Sequence, residues 1–151
     1  MMSEMDYERL LGLDVGTKTI GVSVSDPLGY TAQPVTVIRR RNKEADLAEL
    51  RHLVEVYNVK RFVVGYPLSM SGVAGPQAAY VSAFAEDLKT LGLPIEMVDE
   101  RLTTKQAQQV LILGGVRREK RREVIDQQAA VLILQSFMDR EARRRANDGS
   151  P

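Results

Sequence analysis

The sequence predicts an α/β fold: a mixed five-stranded sheet, built from a three-strand antiparallel meander plus parallel strands, with helices on both faces. Three observations lead there. The stretch LLGLDVGTKTIGVSVSD at 10–26 is an apolar run, a tight turn at Gly16-Thr17-Lys18 and a second, alternating run. The turn is too short for a helical crossover, so these two strands must be antiparallel. Further on, short apolar runs at 61–65 and 95–98 are separated by stretches of 3.6-residue period, the pattern of strands joined by helical crossovers. Finally, 151 residues suit one domain, which at that size buries about two-thirds of its unfolded surface without covalent staples.

Taken in order, strands are expected at 9–15, 20–26 and 34–39. A helix follows at 43–57, where Leu47, Leu50, Leu53, Val54 and Tyr57 keep the helical period and Asn58 is a stop signal. RFVVG at 61–65 is a short buried strand. After a Gly/Pro/Ser loop, Pro76 suits the first turn of a helix reaching 91, and Gly92-Leu93-Pro94 ends it. A strand at 95–98 comes next. Thr103 or Thr104 can cap a short helix to 113, Gly114-Gly115 breaks it, and a long helix at 124–145 closes the domain. Its early turns are apolar on nearly every side, from Ala129 to Leu134, so it should pack deeply on the sheet. The order β-β-β-α-β-α-β-α-α is the layout of the ribonuclease H-like fold. One domain is expected over 1–142. The remainder, 143–151, is rich in Arg, Asn, Asp, Gly, Ser and Pro and reads as a disordered tail.

Composition excludes several chemistries. With no cysteine, disulfide frameworks, thiolate zinc sites and cysteine nucleophiles are ruled out. His52 is the only histidine and sits among Glu49, Arg51 and Glu55, so a Ser-His-Asp triad lacks a base. The G-x-x-x-x-G-K-[ST] phosphate loop is missing. Glu4, Asp6 and Glu8 stand where a secretory signal would be positive, and no apolar run approaches the roughly 18 residues that span a bilayer. A cytoplasmic protein without a membrane partner is expected. Net charge is only +1, yet the cations cluster: Arg39-Arg40-Arg41 with Lys43; Arg117, Arg118, Lys120, Arg121 and Arg122; Arg140 with Arg143-Arg144-Arg145. One such run is ordinarily solvated surface, but three raise a nucleic-acid backbone as partner.

The acids carry the chemistry. Asp14 ends the first strand, and two further acid-bearing segments, VDER at 98–101 and IDQQAA at 125–130, adjoin apolar elements. Open α/β sheets gather ligands beyond the carboxyl ends of their parallel strands, where Asp14 and the Asp99-Glu100 pair fall. The last helix would lay Asp126 beside them. Three convergent carboxylates are hard oxygen ligands suited to Mg²⁺ or Mn²⁺. Each has a structural alternative. Asp126 could cap its helix, where the helix dipole favours an acid. Asp99-Glu100-Arg101 could be a strand-end ion pair. D-x-G-T at Asp14 also opens the phosphate-binding hairpin of actin-like and sugar-kinase ATPases, but those need two domains of this size. Periodicity does not choose between Asp99 and Glu100.

The segments LDVGTKTIGVSVSD, VVGYPLSMSGVAGPQ, VDERLTT and IDQQAAVLILQSFMD, in this order and spacing, resemble the YqgF/RuvX-type family of Holliday junction resolvase-like nucleases that mature the 16S ribosomal RNA precursor. DERLTT and the D-x-x-A-A helix start are far more specific than D-x-G-T alone, and the resemblance spans 9–140. It implies an active site of Asp14, Glu100 and Asp126, the same three holding Mg²⁺ or Mn²⁺, with Asp99 a candidate fourth ligand. The implied reaction is metal-dependent phosphodiester hydrolysis. Lys18, Ser69, Gly72, Arg101, Arg117, Arg118 and Arg121 are the expected substrate contacts, the 66–76 loop through close backbone approach to phosphate. Thr19 stands where the family usually has arginine, and Pro67–Gly72 departs from the usual P-L-N-x-D/N-G. Two other readings compete with the rRNA nuclease: a Holliday junction resolvase, which needs two sites and hence a homodimer where a processing nuclease can act as a monomer, and a non-catalytic nucleic-acid-binding module of ribosome assembly or transcription. Three mutually repelling carboxylates without a cation argue against the module.

Overall fold

The computed structural model describes residues 8–67, 75–99 and 118–148. In β1 (Arg9–Val15) the strand alternation sends Leu11, Leu13 and Val15 to one face and Leu10, Gly12 and Asp14 to the other. β2 (Thr19–Ser25) folds back antiparallel, pairing Gly21 with Asp14, and β3 (Ala32–Arg39) returns antiparallel to β2. β4 (Val59–Tyr66) lies parallel to β1 on its other side, and β5 (Ile95–Asp99) lies parallel to β4. The described strands form one five-stranded sheet in the order β3-β2-β1-β4-β5. The expected meander with added parallel strands is therefore present, and β1, β4 and β5 end at the same edge. Pro34 is tolerated in β3 because that strand is at the sheet edge, and the β2–β3 register shifts just before Ser23 meets it.

α1 (Lys43–Tyr57) has the expected bounds, and local chemistry explains them. The Asn42 side chain accepts from the Ala45 N–H at 2.8 Å, and Asn58 adopts the left-handed conformation at φ 54°, its N–H returning to the carbonyls of Val54 and Glu55. α2 (Pro76–Leu88) opens with proline in its first turn and runs into a 3-10 turn, Lys89–Leu91, that stops at Gly92 with φ 82°. Leu50 of α1 and Val81, Phe84 and Leu88 of α2 share one core with Leu11, Leu13, Ile20, Val22, Phe62 and Val64. α3 (Arg118–Asp148) covers the opposite face, where Ile133, Leu134, Phe137 and Met138 meet Ala32, Val63 and Val98. Helices thus lie on both faces, as the layout requires.

α3 departs from expectation at both ends. It begins at Arg118, not near 124, and runs through 143–148, where composition predicts a disordered tail. No glycine or proline interrupts 118–148, and its Arg, Glu, Lys and Ala residues are strong helix formers. An Arg144–Glu141 ion pair at 3.1 Å adds to the last turns. The short helix expected at 103–113 lies outside the described residues. No helix among the described residues is long and apolar enough to cross a membrane.

Candidate functional site

Asp14 is half-buried near the carboxyl end of β1, on the face that α3 covers. The two elements are in tight contact at Gly12, two residues earlier on the same face of the strand. A Cβ added there would lie 2.4 Å from Ser23 Oγ, 2.8 Å from Leu134 Cβ and 3.1 Å from the Ala130 carbonyl oxygen. The fully buried Ser23 hydroxyl donates to that carbonyl at 2.8 Å. Farther along α3, the Gln135 side chain accepts from the Ala32 N–H at 2.8 Å and donates to the Tyr30 carbonyl at 3.1 Å, beside the amino end of β1. α3 therefore runs antiparallel to β1, and its earlier turns lie toward Asp14.

This register decides where Asp126 falls. Position 126 is four residues before Ala130 on the same helical row, a step of about 6 Å. Asp14 is two residues beyond Gly12, a step of about 6.8 Å in the same direction. The helix backbone thus brings position 126 level with Asp14. Because α3 begins at Arg118, Asp126 lies inside the helix, and the capping alternative does not hold.

The sheet also separates the two neighbouring acids. Asp99 ends β5 in register with Tyr66, whereas Val98 pairs with Gly65 and packs on the α3 side. Alternation therefore puts Asp99 in the row of Ile95, on the α1–α2 face and away from Asp14. That placement counts against Asp99 as a fourth ligand. Glu100, Arg101, Ser69, Gly72 and Arg117 lie outside the described residues, and Arg118 and Arg121 occupy the first turns of α3. Among the described residues no three His, Cys, Asp or Glu side chains gather into a metal-sized cluster. The donor chemistry fits a hard divalent cation: a half-buried carboxylate at the strand edge, with a second acid on the helix turn level with it.

Lys18 is exposed at the tip of the β1–β2 turn, which is closed by the Gly16 N–H donating to the Thr19 carbonyl at 2.8 Å. The neighbouring cationic run divides. Arg40 turns inward, its side chain only 17% exposed, and its Nε meets Asp46 Oδ2 at 3.2 Å. Nη1 donates to the Gly16 carbonyl at 3.0 Å and to the Tyr80 hydroxyl, and the guanidinium lies 5.3 Å and 5.0 Å from the Tyr80 and Phe84 ring centroids. Asp46, itself buried, also accepts the Arg41 N–H at 3.1 Å. Arg40 is thus not part of the solvent-facing patch that the sequence suggests. Arg41 and Lys43 are exposed but lie near Glu49 at 3.9 Å and Asp87 at 3.4 Å. Among the described residues, Arg140, Arg143 and Arg145 are exposed and make no ion pair. His52 is exposed, as its charged neighbours imply.

Sequence reasoning missed Gly12, Ser23, Arg40 and Asp46. A small polar residue at an inward strand position was the available signal for Ser23; nothing local marks Arg40 as turned inward.

Comparison with known proteins places this arrangement. A family model described as RuvX, Holliday junction resolvase, matches residues 8–140. The provisionally named pre-16S rRNA nuclease of Moorella thermoacetica is 57% identical over 133 residues, covering 87% of this chain and 95% of that protein. Its namesake from Heliobacterium modesticaldum is 50% identical over 143 residues, covering 94% and 96%. Among solved structures, T. thermophilus RuvC in complex with a Holliday junction substrate superposes with a TM-score of 0.56 at 16% identity, covering 90% of this chain and 97% of that one. The large terminase nuclease of the thermophilic phage G20c gives 0.55 at 15% identity, covering 88% and 83%. At such identities these two establish the ribonuclease H-like fold. The family match and the close relatives go further, and on them the chain belongs to the RuvX family.

Proposed function

We propose that this chain is a divalent-metal-dependent nuclease that hydrolyses phosphodiester bonds in the precursor of small-subunit ribosomal RNA, with Asp14, Glu100 and Asp126 as its catalytic carboxylates. One observation carries the site: α3 crosses β1 so tightly at Gly12 that position 126 is drawn level with Asp14. The substrate follows from the names of the close relatives. When bound, Mg²⁺ or Mn²⁺ supplies activation of the attacking water and neutralises charge building on the phosphate.

The chain's own residues do the rest. Asp14 is on the central strand, Asp126 is on a helix pinned to that strand, and Glu100 is the next residue in sequence after β5, which supports a site at the edge where β1 and β5 end. Lys18 at the exposed turn tip, with Ser69, Gly72, Arg101, Arg117, Arg118 and Arg121, meets the sugar-phosphate backbone. Such contacts give salt-sensitive affinity with little sequence preference. A cytoplasmic location accords with that substrate. A Holliday junction resolvase is the second reading, favoured by the description of the matching family model. That activity requires two sites acting together and so a homodimer, while rRNA processing is open to a monomer.

The test is to incubate the protein with labelled ribosomal RNA precursor, single-stranded RNA and a four-way DNA junction in Mg²⁺, Mn²⁺ or EDTA, with Glu100→Gln in parallel. Metal-dependent cleavage of the precursor, lost in the variant, is expected. Preferential cutting of the junction would transfer the activity to the second reading, and binding without cleavage of any substrate would leave a binding module.

A further inference from the structure

We infer that Arg40 is a positioning residue for the proposed reaction: half-buried beneath the β1–β2 turn, it holds the turn that follows Asp14 and thereby sets where Lys18 meets the substrate phosphate. This rests on the nuclease reading above.

Arg40 grips the turn at two points. Its guanidinium Nη1 donates to the Gly16 carbonyl at 3.0 Å, and its main-chain N–H donates to the Lys18 carbonyl at 2.9 Å. The two exposed residues of the tip, Thr17 and Lys18, thus lie between anchors provided by a single residue. The guanidinium is in turn fixed from three sides. Asp46 in the first turn of α1 takes Nε, the Tyr80 hydroxyl of α2 takes Nη1, and the Tyr80 and Phe84 rings lie against it.

A purely structural role explains this arrangement poorly. Desolvating an ion pair offsets most of its attraction, so a buried Arg–Asp pair is a weak device for joining α1 to the sheet, and apolar side chains would do as well. Apolar side chains could not hold the Gly16 carbonyl. Nor could lysine satisfy the set, because a compact ammonium cannot reach a carboxylate, a carbonyl and a hydroxyl while also lying on two rings. The tip of a tight turn would otherwise move on a fast timescale, and a phosphate contact carried on it would lose reach and orientation.

The test has two arms on full-length Arg40→Lys, with Tyr80→Phe as a milder variant that keeps the ring and removes one hydrogen-bond partner. In metal-free protein, amide hydrogen exchange from Gly16 to Thr19 should accelerate about tenfold or more in Arg40→Lys, with Leu11 and Val22 unchanged. Unchanged exchange at the turn would overturn the inference, whatever the activity. In the second arm, single-turnover cleavage of the RNA precursor at saturation should fall on the order of tenfold to a hundredfold. Lys18→Ala should then cost much less in the Arg40→Lys background than in the wild type, since both changes remove the same interaction with phosphate. Additive losses would reassign Arg40 to fold stability alone. Wild-type protein that cleaves nothing would remove the nuclease reading, and the exchange arm would still decide whether Arg40 holds the turn.

Discussion

The Ser23 hydroxyl donates to the Ala130 carbonyl at 2.8 Å, from the floor of the sheet into the side of a helix, at the point where Gly12 leaves room for nothing larger. The contact sets both the height and the register of α3 over β1, and so which turn of the helix lies level with Asp14. Gly12→Ala should therefore do more than destabilise. Overpacking of this kind costs typically about 1–3 kcal/mol, readable as a lower urea midpoint. Cleavage should fall further than the loss of folded protein explains, because the helix must move away from the strand bearing Asp14. Ser23→Ala, which only deletes the hydrogen bond, should cost about 1 kcal/mol and a smaller share of activity. Equal activity losses in the two variants would contradict this account.

Asp14→Asn should abolish metal-dependent cleavage and leave the protein folded, because the amide keeps the shape of the side chain but not the charge that a hard divalent cation requires. Circular dichroism melting beside the cleavage assay checks both halves. A well-folded variant with normal turnover would take Asp14 out of the site.

The two arginine pairs at the start of α1 should respond very differently. Asp46 is 2% exposed and Arg40 17%, so Asp46→Asn leaves a largely desolvated guanidinium short of its counter-charge, at a cost of about 2–4 kcal/mol in urea unfolding. Arg41 and Glu49 are 67% and 42% exposed at 3.9 Å, and Arg41→Ala should change stability by less than about 0.5 kcal/mol. Similar costs at the two positions would show that burial does not separate these pairs.

Asp26 organises the β2–β3 connection, and its contribution should depend on pH. Burial pushes its carboxyl upward, but the hydrogen bonds it accepts from the backbone N–H groups of Thr31, Tyr30 and Leu28 outweigh that effect and hold it below the usual carboxylate range. A lowered folded-state value means that the ionised form favours folding. The stabilisation is complete above the ordinary carboxylate value of about 4 and disappears as pH falls through the lowered one. The stability gap between wild type and Asp26→Asn should accordingly be constant near neutrality and close in acid, as followed by denaturant unfolding at a series of pH values. A gap that widened on acidification would refute the assignment.

Replacing Arg118 and Arg121 by alanine should weaken RNA binding at low salt and flatten the dependence of log affinity on log salt by about one unit for each phosphate no longer neutralised. Fluorescence anisotropy with a labelled RNA across a salt series measures the slope directly. An unaltered slope would identify the start of α3 as ordinary solvated surface.

Local pattern by itself determined a large part of this molecule. The apolar–turn–apolar run at 10–26 specified an antiparallel pair, and the leucine spacing between Asn42 and Asn58 specified α1, because strand and helix periods and their end signals act over a few neighbouring residues. The resemblance of four motifs further named Asp14, Glu100 and Asp126 as a set. Tertiary structure alone decided how other residues are used. Arg40 stands in a run of cations that reads as surface, yet its partners at Gly16, Asp46 and Tyr80 come from three separate elements. Asp99 adjoins Glu100 in sequence, and strand pairing was needed to put it on the face opposite Asp14. Gly12 resembles any strand glycine until a helix more than a hundred residues later lies against it. Turns, caps and periodicity depend on chain neighbours, whereas the burial of a charge or the close approach of a helix depends on residues that only folding brings together.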